Sequence, residues 1–209
     1  MRILVAITGA SGIIYGKRLV EVLKELGQDV SVIVSEGAKK VSEAELESLP
    51  KSDYPETTKK LSQSIQNQSL KTSAKDRKNL VGSVYSENDL SAPFASGSNA
   101  ADAMIVCPCS LKTLGEIANG VGSNLISRAA EVCLKERKKL ILVPRETPYS
   151  YITIKNMETI TLAGGIILPA SPGFYHSPKK IEDLVNFIVG KILDQLEIKN
   201  SLFKRWNGE

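Results

Sequence analysis

Five residues set directly behind an apolar run, Thr8-Gly9-Ala10-Ser11-Gly12 after Ile3 to Ile7, form a place where a backbone can meet an anion. Small residues let the main chain come close to a ligand, and the first turn of a following helix offers unpaired N–H groups and the positive end of its dipole. Ser11 adds a hydroxyl. The spacing departs from G-x-G-x-x-G and no Walker-type Lys follows, which points to one phosphate in place of a pyrophosphate or triphosphate. A mononucleotide such as FMN fits.

A second such place is Pro108-Cys109-Ser110-Leu111-Lys112-Thr113, where Ser110 can cap a helix that begins at Leu111. Further polar groups stand just behind apolar segments: Ser35 after Val30 to Val34, the pair Arg145-Glu146 after Leu140 to Val143, and Tyr175 after Ile166 to Leu168. His176 is the one histidine, which excludes a histidine-rich metal centre. Cys107, Cys109 and Cys133 lack the partners of a zinc pattern and read as small buried hydrophobes.

The elements that must position these groups alternate. Leu19, Val22, Leu23 and Leu26 recur at helical spacing and Gly27 stops that helix. A second strand, Val30 to Val34, leads to a helix through about Leu49. From Lys51 to Asn79 the chain is rich in Lys, Ser, Thr and Gln and reads as an excursion, a lid or plain surface. Strand Val84-Tyr85, the small-residue loop Ser91 to Ser98 and the central strand Ala103 to Cys107 follow. Helix Leu125 to Arg137, strand Leu140 to Val143, a helix over Asn156 to Leu162, strand Ile166 to Leu168 and a closing helix complete the order. In the closing helix Ile181, Leu184, Val185, Ile188, Ile192 and Leu196 form one stripe with Lys191 at its edge, and Ser177 and Pro178 supply cap and first position. The alternation predicts an α/β, Rossmann-like (flavodoxin-like), doubly wound and mainly parallel sheet in three αβα layers, with ligands beyond the carboxyl ends of the strands. Residues 1–209 read as a single flavoprotein domain, interrupted at about 51–79 and closed by a helix and tail over 178–209.

With 209 residues, 42% of them hydrophobic and 24% charged, the composition is that of an ordinary globular protein. The net charge of +4 is dispersed, and the one dense basic cluster, Lys135 to Lys139, contains Glu136 and has no interleaved aromatics, which argues against a nucleic-acid partner. No segment reaches the ~18 apolar residues of a membrane span, and the N-terminus enters a strand in place of a signal peptide, so a cytoplasmic location and no membrane partner are expected.

Taken together, Thr8 to Gly12 with Tyr15-Gly16, Ala95 to Ser98, Pro108 to Thr113, Asn124 to Ala130, Leu134 to Arg137, Val143 to Glu146, Pro169 to His176 and Lys204 to Trp206 resemble the flavin prenyltransferases, the UbiX-like proteins. The resemblance runs from end to end apart from 51–79. It implies a metal-independent transferase that joins a dimethylallyl group from dimethylallyl monophosphate to reduced FMN, at N5 and C6. The product, prenylated FMN, is the cofactor of UbiD-like decarboxylases. It also implies a large homo-oligomer such as a dodecamer, with sites at subunit contacts.

Residue by residue, the resemblance assigns FMN contacts to Gly9, Ala10, Ser11, Ser35, Ser110, Leu111, Lys112, Thr113 and Arg145. It assigns the donor phosphate to Arg128, Lys135, Tyr175 and Lys191, drawn from neighbouring subunits. Ser11, Glu45, Glu146 and Lys135 take the catalytic roles: Glu45 assists removal of the ring-carbon proton, Ser11 with Glu146 relays a proton between flavin and phosphate, and Lys135 meets the departing charge. Two positions depart from the pattern. Leu90, after Asn88-Asp89, stands where the family commonly has Trp, and Lys191 where it commonly has Arg, keeping the charge but not the planar fork. The alternatives are an FMN-dependent cysteine decarboxylase of the same architecture, which uses a catalytic His in the first half of the chain, and a non-catalytic flavin-binding subunit of a decarboxylase system. The first lacks its residue here, since no His precedes His176.

Overall fold

Among the described residues, six parallel strands carry the molecule. In the computed structural model, which describes residues 1–48, 83–206 and 208, the order is β1 (Arg2–Ile7), α1 (Ile13–Glu25), β2 (Asp29–Val34), α2 (Glu36–Ser48) and β3 (Val84–Ser86). Then come β4 (Ala103–Cys109), α3 (Leu111–Ala118), α4 (Leu125–Lys135), β5 (Lys139–Pro144), α5 (Tyr151–Leu162), β6 (Ile166–Ile167) and α6 (Ile181–Gln195). The sheet runs β3-β2-β1-β4-β5-β6, every pair parallel. Strand order therefore reverses between β1 and β4, the place where doubly wound sheets open a crevice. The stretch over 51–79 lies outside the described residues.

Both faces of the strands are covered, which is why they read as unbroken apolar runs. On one face Ile3, Val5, Ile7, Ile105, Cys107, Ile141 and Val143 pack with α1 and α6. On the other, Leu4, Ala6, Met104, Val106, Leu140 and Leu142 pack with α3, α4 and Ile160 of α5. Each of the larger side chains so buried contributes about 1.5–3 kcal/mol. Gly16 sets how closely α1 approaches: a Cβ there would lie 2.2 Å from the Cys107 carbonyl oxygen.

Several boundaries differ from those read in the sequence. β4 continues through Pro108 to Cys109, its pairing with β5 shifting register after Val106 because proline donates nothing to the ladder. β6 stops at Ile167, one residue short of Leu168. α4 ends at Lys135, with Arg137 in the left-handed region at φ 55°. α5 begins five residues before Asn156, at Tyr151, where the Ser150 hydroxyl accepts the Thr153 N–H; its first turn is masked in the apolar pattern because Tyr151 and Ile152 point to solvent. α6 starts at Ile181, not at Pro178. Ser177 has φ 54° and cannot cap, and the Asp183 carboxylate instead accepts from the N–H groups of Lys179 and Lys180.

Candidate functional site at the carboxyl ends of the strands

The turn after β1 lies against the start of α2, backbone to backbone. A Cβ on Gly9 would meet the Gly37 main chain at 3.1 Å, so glycine favours this close approach. Gly12 turns into α1 at φ 97°. Ser35 is buried, and its hydroxyl accepts the Ala38 N–H at 3.0 Å, opening α2.

The N-terminus of α1, which the sequence marks as a phosphate cradle, already holds a carboxylate. Glu45 of α2 accepts the Gly12 N–H at 2.6 Å and the Ile13 N–H at 3.1 Å. These are first-turn groups, and an anion there also meets the positive end of the helix dipole. Lys17, buried in the next turn of α1, donates to the Ser42 hydroxyl at 3.3 Å. Burial lowers its amine from the ordinary value, opposed by the charges of Glu45 and Glu21.

The turn after β4 starts another helix, α3. Ser110 caps α3, its hydroxyl accepting the Thr113 N–H at 3.3 Å and sharing a hydrogen bond with the Thr113 hydroxyl at 3.0 Å. The amides of Leu111 and Lys112 sit in the first turn, where a helix has no internal acceptors for them. The Lys112 side chain is exposed, 3.7 Å from Glu116. Thr8 links this turn to the first one: its hydroxyl donates to the Pro108 carbonyl at 2.8 Å and accepts the Ser110 N–H at 2.7 Å.

From the end of β5, Arg145 Nε–H donates to the Ser11 carbonyl at 3.0 Å. Glu146 accepts the following Thr147 N–H at 2.9 Å. Burial raises the phenols of Tyr15 and Tyr149 above their ordinary value, with Cys107 adding in the first case and Glu146 in the second, while Arg145 opposes both shifts. Burial likewise pushes the Cys107 and Cys109 thiols far up, and that of Cys133 to about 12, so none supplies a thiolate near neutral pH.

The four cationic and phenolic positions do not converge in one chain. Arg128 and Lys135 stand on α4 against the small-residue loop: Arg128 Nε–H donates to the Ala95 carbonyl at 3.2 Å and its Nη1 to Glu131 at 2.8 Å, while Lys135 pairs with Glu136 beside Gly97. Tyr175 and Lys191 belong to the α6 side. Tyr175 meets His176, Phe187 and Trp206 edge-on at 5.8, 5.7 and 6.1 Å, and Lys191 lies 3.9 Å from Asp194. The sheet separates α4 from α6.

One edge thus gathers Gly9, Ala10, Ser11, Ser35, Glu45, Ser110 to Thr113, Arg145 and Glu146, whereas Arg128 and Lys135 are held apart from Tyr175 and Lys191. Leu90 is half exposed after β3. The sequence places Thr8 in the anion-binding turn without a task of its own and gives no role to Lys17. Thr8 is signalled only by its place as a polar residue directly behind a buried strand, and Lys17 by a lysine on the inner side of α1.

The flavoprotein family model matches residues 1–193. A protein of Methanocaldococcus jannaschii named flavin prenyltransferase UbiX is 45% identical over 206 residues, 99% of this chain and 98% of its own. A solved structure described as AnUbiX (PadA1) in complex with FMN and dimethylallyl pyrophosphate superposes with a TM-score of 0.81 at 38% identity, covering 100% of this chain and 98% of that one. Another, described as a dodecameric FMN-dependent UbiX-like decarboxylase from Escherichia coli O157:H7, gives 0.81 at 34% identity over the whole of both chains. The cysteine decarboxylase TvaF shares the fold alone, at 16% identity and a TM-score of 0.55 over 80% of this chain and 88% of its own.

Proposed function

Because the chain belongs to the flavin prenyltransferase family, we propose that it joins a dimethylallyl group from dimethylallyl monophosphate to reduced FMN, at N5 and C6, making prenylated FMN for UbiD-like decarboxylases. The observation that carries this reading is full-length likeness at 45% identity to a named flavin prenyltransferase. The cysteine decarboxylase reading is disfavoured by the placement of the one histidine at His176.

The strand-end edge fits FMN. The first-turn amides of Gly12 and Ile13 already serve Glu45. The flavin phosphate is therefore better accommodated at the start of α3, by the amides of Leu111 and Lys112 with the Ser110 and Thr113 hydroxyls. Gly9, Ala10 and Ser11 then present their backbone to the rest of the molecule, and Arg145 holds the Ser11 end of that turn while facing the ligand. The reduced flavin supplies the nucleophilic nitrogen and ring carbon.

The leaving phosphate needs donors aimed at the charge it develops. Arg128, Lys135, Tyr175 and Lys191 supply them. Since the sheet separates the first two from the last two, the set closes only between subunits, which is why the active form is a homo-oligomer. Glu45, held on the N–H of Gly12, the residue after Ser11, takes the ring-carbon proton, and Ser11 with Glu146 returns a proton toward the phosphate. A cytoplasmic location suits the reduced flavin and the three unpaired cysteines.

Anaerobic incubation of the purified protein with reduced FMN and dimethylallyl phosphate, followed by the mass of the flavin, tests this. A gain of one five-carbon unit is expected. An unchanged flavin, with FMN bound, overturns it.

A further inference from the structure

We propose that Thr8 is a positioning residue, its hydroxyl setting the spacing between the two turns on which FMN is held. β1 and β4 lie side by side where the strand order reverses, and the two turns leave from their adjacent ends. The ladder between them has its last pair at Ala6 and Val106. Beyond that pair, Thr8 provides the remaining ties. Its N–H donates to the Pro108 carbonyl at 3.2 Å, its Oγ1 donates to the same oxygen at 2.8 Å, and Oγ1 accepts the Ser110 N–H at 2.7 Å.

A hydroxyl is the group that can give one proton and accept another at a single atom in this space. Thr8 is 1% exposed, so it touches no ligand and acts through its neighbours. On one side it leads into Gly9 and Ala10, and on to Ser11, whose carbonyl receives Arg145. On the other it fixes the amide of Ser110, the residue that caps α3. The ends of β1, β4 and β5 are thereby referred to one buried oxygen. A slack tie lets the α3 amides and the Gly9 to Ser11 backbone drift apart, and a ligand bridging both must then hold them itself, weakening its binding.

The inference rests on the reading of these turns as an FMN cradle, and Thr8→Val and Thr8→Ser test it. The first keeps the β-branched shape but leaves the Ser110 N–H without its acceptor, while the carbonyl of Pro108 retains the backbone donor. The second keeps both hydroxyl bonds. Leu193→Ala, at a core position of α6 itself, serves as a destabilised control away from the turns. FMN dissociation constants from flavin fluorescence, melting temperatures, and amide exchange at Ser110 in the FMN-free protein are compared. Thr8→Val should weaken FMN by about tenfold or more and speed Ser110 exchange. Thr8→Ser should stay within about threefold of wild type, and Leu193→Ala should lower the melting temperature without loosening FMN. Wild-type FMN affinity in Thr8→Val, unaltered Ser110 exchange, or equal loosening in Leu193→Ala overturns the proposal. A wild-type chain that binds no FMN overturns the flavin reading and this one with it, a failure distinct from unaltered binding in Thr8→Val.

Discussion

Glu45 Oε1 accepts the Gly12 N–H at 2.6 Å, so a carboxylate from α2 stands on the helix end that the sequence alone marks for phosphate. The same contact places the acid proposed as a base on the residue next to Ser11. Glu45→Gln retains an oxygen acceptor for that amide and removes the charge. It is expected to cost about 0.3–1 kcal/mol of stability, to bind FMN within about threefold of wild type, and to slow prenylation by about 100-fold or more. Flavin fluorescence and the flavin mass assay separate the two effects, and wild-type turnover removes Glu45 from the chemistry.

Ser110→Ala takes away the cap of α3 while leaving the Thr8 bond to the backbone N–H of that residue. A loss of about 1 kcal/mol in urea unfolding is expected, together with weaker FMN binding, because the hydroxyl both caps the helix and lines the proposed phosphate site. Equal FMN affinity in the variant moves the phosphate elsewhere.

The sheet stands between Lys135 and Lys191, so the proposed phosphate grip takes one from each of two subunits. Lys135→Ala and Lys191→Ala should each be inactive alone, yet co-expressed mixtures should recover measurable prenylation, since some interfaces then carry both wild-type side chains. Mixtures as inactive as either variant place the two lysines in one subunit's site.

The tail is predicted to detach in acid. Hydrogen bonds from Arg205 hold the Asp194 carboxyl below its ordinary value of 3.8, with Asn200 and the charges of Arg205 and Lys191 helping. A carboxyl lowered by folding contributes stability that is present above the unfolded value and lost as pH falls through the folded one. Trp206, the chain's one tryptophan, packs edge-on at 6.1 Å from Tyr175 and reports the tail directly. Its fluorescence should change below about pH 4, and in Arg205→Leu the transition should move to higher pH. An acid transition with the same midpoint in both proteins rejects the tie.

Much of this arrangement was legible in the residues. Buried strands announced themselves because both faces are covered, and Ser110 and Gly27 marked helix ends through local chemistry that needs no tertiary context. What escaped depended on partners far along the chain. The start of α5 is hidden by Tyr151 and Ile152, apolar residues on its outer side, and the α6 cap is supplied from three residues inside the helix by Asp183. Nothing near Gly12 foretells Glu45, and nothing near Thr8 foretells Ser110, 102 positions on. The grip proposed for Arg128, Lys135, Tyr175 and Lys191 is legible only as a family likeness, because one chain does not bring the four together.

Gly16 has a genetic consequence as well as a steric one. Every amino acid reachable from a glycine codon by a single base change carries a Cβ, and a Cβ at this position falls 2.2 Å from the Cys107 carbonyl oxygen in the middle of the sheet. Point mutation therefore has no tolerated first step here. At this point the separation of α1 from β4 is a dimension that substitution of Gly16 cannot adjust gradually.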